Sequence, residues 1–296
     1  AILSLTGMPS QAVFLATLIA AAIGTLVMGL FANVPYAQAP GMGLNAFFTY
    51  SVVMGMGYSW QFALTAVFIE GIIFILLSFF EVREAIFNSI PTNLKKAVSV
   101  GIGLFIALIG FTNAGIVVNE EAAGTIIGMG KLASPEALLA LIGLIITGFL
   151  LAKKVKGGLF YGIVITTIIG LPLGVTVLPE GGIAGFISAP PSLKEVAFKF
   201  EWHNIFTLDM LIVVLTFLFV DIFDTIGTLI GVSSKAGFLD ENDQLPKVKQ
   251  ALLADAIGTT AGACLGTSTV TTFVESASGV AEGGRTGLTA LTTGVL

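Results

Sequence analysis

Apolar runs long enough to cross a bilayer recur along the whole sequence, and they limit the fold more than any other feature. A crossing helix needs about 20 mostly apolar residues, whereas a crossing strand needs only about 10. Six runs are close to the helical length and a seventh is shorter: 11–32, 60–80, 97–114, 135–152, 158–178, 208–233 and 251–265. The sequence therefore predicts an all-α polytopic membrane protein in the cell membrane.

The composition agrees with a chain surrounded by lipid. Hydrophobic residues make up 55% and charged residues only 10%, whereas a soluble domain carries about 25% charge. The net charge of -5 provides no basic patch for a nucleic acid. The one cysteine, Cys264, rules out a disulfide within the chain and a cysteine-rich metal site. We expect no cofactor and no metal.

Basic residues are concentrated in alternate loops. Three basic residues lie in each of the loops 81–96, 153–156 and 235–249, whereas the intervening loops 115–134 and 179–207 carry fewer and balance lysine with glutamate. Cytoplasmic loops carry the excess of positive charge. This pattern predicts a cytoplasmic linker at 81–96 and an extracellular connection at 179–207.

Two carboxylates interrupt the apolar run that contains residues 216–231. Asp221 and Asp224 are three residues apart, so they share a face of the predicted helix. Acids within a membrane span usually mark a substrate or ion pathway. The alternative is structural pairing with a cation, but this run contains no lysine or arginine. Glu70 and Asp255 are further acids in apolar segments that could belong to a proton path, although the sequence suggests no partner for either.

Two apolar segments are broken rather than continuous. Segment 37–56 contains Pro40-Gly41-Met42-Gly43, and segment 267–280 begins with a β-prone Thr-Ser-Thr-Val-Thr-Thr run. They are predicted to cross in opposite directions, which favours an inverted repeat with a short extended stretch and a half-helix in each segment. The alternative for either segment alone is a kinked helix.

Asn45 and Glu275 follow the two breaks. The amide of Asn45 both donates and accepts hydrogen bonds, which suits a planar polar heterocycle, although asparagine is also a common helix cap. Glu275 could accept from ring N–H groups or carry a coupled proton. Phe273, next to this acid, could stack on a ring.

These motifs resemble a known family. Residues 40–48 (PGMGLNAFF), 221–228 (DIFDTIGT), 273–279 (FVESASG) and 283–290 (GGRTGLTA) closely resemble the AzgA-like purine permeases of the nucleobase:cation symporter-2 (nucleobase–ascorbate transporter) group. The resemblance implies fourteen transmembrane segments in two inverted repeats of seven, divided into a core and a gate domain. It also implies a homodimer.

The resemblance assigns the chain to segments 2–10 and the start of 11, so we expect a fragment that lacks the first and the last segments. Residues 1–80 become core segments 2–4, 97–178 become gate segments 5–7, and 208–296 become core segments 8–10 and the start of 11. Segment 37–56 is then the third, the Asp221 span the eighth and 267–280 the tenth.

The same resemblance implies import of hypoxanthine, guanine or adenine, coupled to protons, by a chain that is not an enzyme. The residues it implies for binding the base are Asn45, Gly43, Asp224, Glu275, Phe273 and Thr271. Those it implies for proton coupling are Asp221, Asp224 and Glu275. Two alternatives remain: an anion transporter of the same fold, and an intramembrane Asp-dependent enzyme such as a Mg-dependent prenyl transferase.

Overall fold

The computed structural model describes residues 2–80, 82–89, 91–120, 125–178, 189–241 and 245–296. Parts of the predicted linker 81–96 and connection 179–207, namely residues 81, 90 and 179–188, lie outside the described residues. The chain divides into two compact units. One unit comprises Ala1–Ser99 and Pro190–Leu296, and the other comprises Val100–Ala189.

The elements follow one another along the chain, after a short 3-10 helix at Leu3–Thr6. The helices are α1 Ser10–Val27, α2 Met42–Ala46, α3 Trp60–Phe79, α4 Val82–Ser89, α5 Thr92–Asn113, α6 Pro135–Ala152, α7 Gly158–Gly170, α8 Leu208–Ala236, α9 Val248–Leu265, α10 Ser276–Ala281 and α11 Gly287–Val295. The strands are β1 Gln38–Pro40, β2 Val117–Glu120, β3 Thr125–Met129 and β4 Val270–Thr272. Turns of π-helix, Met28–Ala32 and Phe47–Gly55, extend α1 and α2.

The prediction of a multi-pass membrane protein is confirmed. Within the described residues, four helices are long and apolar enough to cross a membrane: Ser10–Ala32, Trp60–Phe79, Pro135–Ala152 and Leu208–Ser234. Three of the long helices begin at a hydroxyl cap. Ser59, Ser134 and Thr207 each accept a hydrogen bond from a backbone N–H in the first turn of α3, α6 and α8. Such caps satisfy N–H groups that the helix itself leaves without a partner.

Helix α7 ends at Gly170, before the predicted end of its apolar run at residue 178. The local sequence explains the early end. Pro172 has no N–H group with which to continue the helical hydrogen bonds, and Gly174 has a left-handed φ of 70°. The N–H groups of Val175 and Thr176 both donate to the Gly170 carbonyl and close the turn.

The antiparallel pair β2–β3 was not predicted. The sequence interpretation treated 115–134 as a connecting loop, but Val117 lies opposite Met129 and Val118 opposite Gly128. Valine, threonine and isoleucine are enriched in this stretch, and β-branched residues favour strands. The pair lies outside the predicted spans, so the helical character of the spans is unchanged.

Strands β1 and β4 belong to the two broken segments, and they pair with each other. They run antiparallel, with Ala39 opposite Thr271. The N–H of Gly41 donates to the Thr269 carbonyl (3.2 Å), and the N–H of Phe273 donates to the Ala37 carbonyl (2.9 Å). In an antiparallel ladder only alternate residues exchange these bonds. Pro40 therefore occupies a position that needs no N–H donor.

Glycines allow α9 to approach two other helices closely. Gly24 of α1 and Gly258 of α9 face each other, since a Cβ at Gly258 would lie 3.3 Å from the Gly24 Cα. Gly71 of α3 packs against Thr260 of α9, whose backbone N and Cα would lie 3.0 Å from a Cβ at Gly71. Such small residues at helix interfaces are typical of membrane proteins.

Replacing Gly71 with alanine should destabilise the first unit, because the added methyl group meets the backbone of α9 and not only a flexible side chain. Overpacking of this kind costs about 1–3 kcal/mol. The measurement is the thermal unfolding midpoint of the detergent-solubilised protein.

Gly148→Ala in α6 is the matched control, because a Cβ there meets no atom within 4 Å. Its unfolding midpoint should be equal to or above that of the wild type. Equal midpoints for Gly71→Ala and Gly148→Ala would contradict the packing described for α3 and α9.

Candidate functional site

Buried hydroxyl groups crowd the extended stretch that leads into and through β4. The residues that carry them are 0–2% exposed: Thr267, Ser268, Thr269, Thr271 and Thr272. Each hydroxyl contacts a side chain of a different element. Thr267 contacts Thr17 of α1 (2.9 Å), Ser268 contacts Asn45 of α2, and Thr269 contacts Glu70 of α3 (2.7 Å). Thr271 contacts Thr225 of α8 (3.0 Å), and Thr272 contacts Gln38 of β1 (3.4 Å). The stretch therefore connects the elements that surround the strand crossing, the place where β1 and β4 pair and the two broken segments meet.

Thr225 lies at the centre of an acidic cluster. Its Oγ1 is 3.3 Å from Asp221 Oδ1 and 3.0 Å from Asp255 Oδ1. A third oxygen, Thr271 Oγ1, is also 3.0 Å away. All four side chains are buried. The cluster joins α8, α9 and β4 through a single hydroxyl group.

Asp224 is half-buried and lies beside the first break. A Cβ at Gly41 would come within 2.6 Å of the Thr271 Cγ2 and 3.4 Å of Asp224 Oδ2. Only glycine therefore leaves space for the strand crossing and the carboxyl group together. Asp224 is hydrogen-bonded to Thr271, and the charges of Asp255 and Glu275 act on it. The carboxyl group of Asp224 therefore lies beside the Gly41 backbone and Thr271.

Asn45 lies in α2, in the first turn after the break, as the sequence predicts. Its Oδ1 accepts a short hydrogen bond from Ser268, and its Nδ2 is 3.5 Å from the Pro40 carbonyl oxygen. The amide oxygen therefore connects the two broken segments. The Nδ2 group, at the limit of a hydrogen bond with Pro40, remains the part of the amide that can donate to a ligand.

Glu275 is exposed and occupies the position immediately before α10. Its backbone carbonyl accepts a hydrogen bond from the Ser278 hydroxyl. Phe273 follows β4 directly and is half-buried, and Gly43 is half-buried in α2. Within the described residues, no hydrogen bond joins Asn45 to Glu275.

The structure also identifies partners that the sequence interpretation could not name. Glu70 is buried on α3 and accepts a hydrogen bond from Thr269, and Asp255 is joined to Asp221 through Thr225. Thr225 belongs to the 221–228 motif, one of those on which the family resemblance rests. That motif is the sequence signal that could have indicated a role for Thr225. Thr269 and its neighbours are the β-prone run itself.

Discontinuous apolar segments that meet at a site with acidic side chains are typical of secondary transporters. The chain belongs to the Permease family (Xan_ur_permease), whose family model matches residues 1–296. This match confirms the predicted purine permease resemblance at the level of the family, and the relatives described next are named as permeases and not as enzymes.

Several relatives match nearly the whole chain. The putative permease MJ0326 of Methanocaldococcus jannaschii is 50% identical over 295 residues, covering 100% of this chain and 66% of the relative. The adenine permease AdeP of Escherichia coli is 43% identical over 296 residues, which make up 100% of this chain and 65% of the relative. The guanine/hypoxanthine permease PbuG of Bacillus subtilis is 47% identical over 285 residues, which make up 96% of this chain and 64% of the relative. The chain thus spans about two thirds of the length of these relatives.

A solved structure shares the fold. The transmembrane domain of the cyanobacterial bicarbonate transporter BicA matches with a TM-score of 0.59 over 98% of this chain and 80% of that chain. The sequence identity is 19%, so the likeness concerns the fold alone.

The strand crossing can be tested by a cross-link. With Cys264 replaced by alanine, the pair Ala39→Cys and Thr271→Cys should form a disulfide on mild oxidation, because the two residues are directly opposite. Opposite residues in an antiparallel pair have Cα atoms about 4.5–5.5 Å apart, which lies within the range for a disulfide. The measurement is a mobility shift after cleavage between the two segments.

The control moves one cysteine by one residue, pairing Ala39→Cys with Thr272→Cys. Successive side chains of a strand point to opposite faces, so this pair should cross-link far less. Equal cross-linking of both pairs would contradict the observed register.

Proposed function

We propose that the protein is a secondary active transporter that imports purine nucleobases, namely hypoxanthine, guanine or adenine, by proton symport. The observation that carries the proposal is the position of Asp224, a half-buried acid against the Gly41 backbone at the crossing of two broken segments. Relatives named as adenine and guanine/hypoxanthine permeases support the substrate class. A purine base and a proton are then the partners of this site.

The side chains at the crossing offer complementary hydrogen bonds to a purine. A carboxylate accepts from ring N–H or amino groups, and the Nδ2 of Asn45 can donate to a ring nitrogen or carbonyl oxygen. Asp224 and Glu275 would accept, Phe273 would stack on the ring, and Thr271 would hold Asp224 in place. Gly43 would let the backbone of α2 approach the base. Protonation of Asp221, Asp224 or Glu275 would couple the ion to the base.

Matching Gly-Thr pairs support an inverted repeat. Gly24-Thr25 in α1 and Gly258-Thr259 in α9 face each other at the helix crossing. The Thr25 hydroxyl donates to the carbonyl of Gln38, the first residue of β1 (3.0 Å). The Thr259 hydroxyl donates to the carbonyl of Val270, the first residue of β4 (2.8 Å). The same local interaction thus recurs in the two broken segments.

The two compact units support a division into a core and a gate. The core would comprise 1–80 and 208–296, and the gate 97–178, with a cytoplasmic linker at 81–96 and an extracellular connection at 179–207. Access would alternate as one unit moves relative to the other. The crossed segments would stay together during this movement, since their hydrogen bonds lie within one unit. Segments beyond this chain and a homodimeric arrangement would complete the transporter.

Transport of an anion is the second candidate, because BicA shares the fold. The charges at the crossing disfavour it. The charges of Asp255 and Glu275 both act on Asp224, and ionised carboxylates repel an anion. A neutral base avoids this repulsion and uses the carboxylates as hydrogen-bond acceptors.

Uptake of radiolabelled hypoxanthine, guanine, adenine, uracil and xanthine tests the proposal in cells expressing the complete gene, with and without a protonophore. We expect saturable purine uptake that the protonophore abolishes. Asp224→Asn and Glu275→Gln should each lower uptake about 10- to 100-fold, as expected for losing a hydrogen bond to a charged group.

Glu136→Gln is the matched control, because Glu136 is an exposed acid in the first turn of α6. Its uptake should equal that of the wild type. Absence of purine uptake by the wild type, or uptake indifferent to both site acids, would overturn the proposal. Uptake of bicarbonate in place of purine would favour the second candidate.

A further inference from the structure

The amide of Asn45 is fixed in one orientation by the groups on its two sides. Its Nδ2 lies 3.5 Å from the Pro40 carbonyl oxygen, and its Oδ1 accepts a hydrogen bond from the Ser268 hydroxyl. A carbonyl oxygen can only accept, whereas a hydroxyl can also donate. Turning the amide over would bring Oδ1 against the Pro40 oxygen and leave two acceptors facing each other. Nδ2 therefore stays beside Pro40, and Ser268 donates to Oδ1.

The backbone around this hydrogen bond is itself held in place. The Thr269 carbonyl, next to Ser268, accepts from the Gly41 N–H (3.2 Å). The Gly41 carbonyl in turn accepts from the Asn45 N–H (2.8 Å). The two side chains thus meet across backbone that is already ordered, so their bond needs little further loss of conformational entropy.

Burial places Ser268 behind Asn45. Ser268 is 0% exposed, whereas Asn45 is half-buried. A base at the strand crossing can therefore reach the amide but not the serine hydroxyl, whose hydrogen is already donated to Oδ1. Any effect of Ser268 on the base passes through Asn45.

The fixed orientation determines what Asn45 can offer to a ligand. An amide nitrogen carries two hydrogens. Among the described residues, the contact with Pro40 is the one hydrogen bond of Nδ2, so a second hydrogen remains for the ligand. The amide oxygen is engaged by Ser268. Asn45 is therefore a donor, and the atom of the base that faces it must be an acceptor, either a ring nitrogen without hydrogen or a carbonyl oxygen.

We infer that Ser268 is a specificity-determining residue that acts by positioning Asn45, so that the amide donates to an acceptor atom of the base and does not accept from an N–H group. A site with a fixed donor rejects an analogue that lacks the matching acceptor, because the donor is then left without a partner. This role rests on the proposed function, since the base must lie beside Asn45. Ser268 lies outside the motifs on which the family resemblance rests.

Binding of analogues to the purified complete protein tests this role. Deaza analogues of guanine or adenine replace one ring nitrogen by C–H, and the thio analogue of guanine replaces the carbonyl oxygen by a weaker acceptor. Each is measured by competition with the radiolabelled parent base. The wild type should bind the analogue that lacks the acceptor facing Asn45 about 3- to 10-fold more weakly than the parent, as expected for one hydrogen bond.

The variants separate positioning from a general structural effect. Ser268→Ala should weaken binding of the parent base about 2- to 10-fold and reduce the discrimination against that analogue, because Pro40 alone then holds the amide. Ser268→Thr keeps the hydroxyl and should keep the discrimination. Asn45→Ala should abolish it, and adding Ser268→Ala should change nothing further. A general structural defect would weaken parent and analogue alike and leave the discrimination unchanged.

Ser78→Ala is the matched control, because Ser78 is also a buried serine (3% exposed), yet within the described residues its hydroxyl has no hydrogen-bond partner. Its affinities should equal those of the wild type. Full discrimination in Ser268→Ala, or an effect of Ser268→Ala that persists in the Asn45→Ala background, would overturn the role of Ser268 and leave the proposed function standing. Absence of purine binding by the wild type would instead contradict the proposed function, and this role with it.

Thermal unfolding of the detergent-solubilised protein tests the hydrogen bond without any base. Asn45→Ala leaves the buried Ser268 hydroxyl without its partner, which costs more stability than removing both partners. Adding Ser268→Ala to Asn45→Ala should therefore not lower the unfolding midpoint further. A midpoint lowered by the sum of the two single effects would show that the side chains act independently and would overturn the inference.

Discussion

The hydrogen bonds of the buried stretch 267–272 are the interaction on which the rest of the structure depends. Backbone that is not helical is tolerated at membrane depth only when protein satisfies its polar groups. Here β1 satisfies the backbone of β4, and the hydroxyls in the stretch contact α1, α2, α3, α8 and β1. Leaving such a group without a partner costs about 1–3 kcal/mol. Loss of the stretch would therefore release several helices at once.

This arrangement also fixes the acids. Thr269 holds Glu70, Thr271 contacts both Asp224 and Thr225, and Thr225 is shared with Asp221 and Asp255. Each carboxyl group is thus positioned by a hydroxyl on or next to the second broken segment. The glycines at the helix crossings bring the elements close enough for these short side chains to reach one another. Close packing at the glycines is therefore what allows the hydroxyl–carboxyl hydrogen bonds to form.

Much of the fold could be predicted from the sequence, because lipid imposes a strict relation between apolar length and helix. The breaks at Pro40-Gly41 and before Val270 were visible for a similar reason, since proline, glycine and a threonine run do not continue a helix. The pairing of β1 with β4 could not be derived, because a three-residue strand carries no register information. The partners of Asp255 and Glu70 were also hidden, since they depend on how helices distant in sequence are rotated. Pro172 and Gly174 did contain the signal for the early end of α7, but the apolar run obscured it.

The pairing of Gln38 with Thr272 joins residues 234 positions apart in the sequence. At a synthesis rate of 5–20 residues per second, the ribosome needs on the order of tens of seconds to make β4 after β1. During that time the first broken segment has no strand to pair with, and its polar backbone must remain among water, the insertion machinery or a provisional neighbour. Biogenesis of such a protein is therefore not a series of independent helix insertions. The early half of the chain can adopt its final form only after the late half arrives, which makes the interval between them the period most exposed to misassembly and quality control.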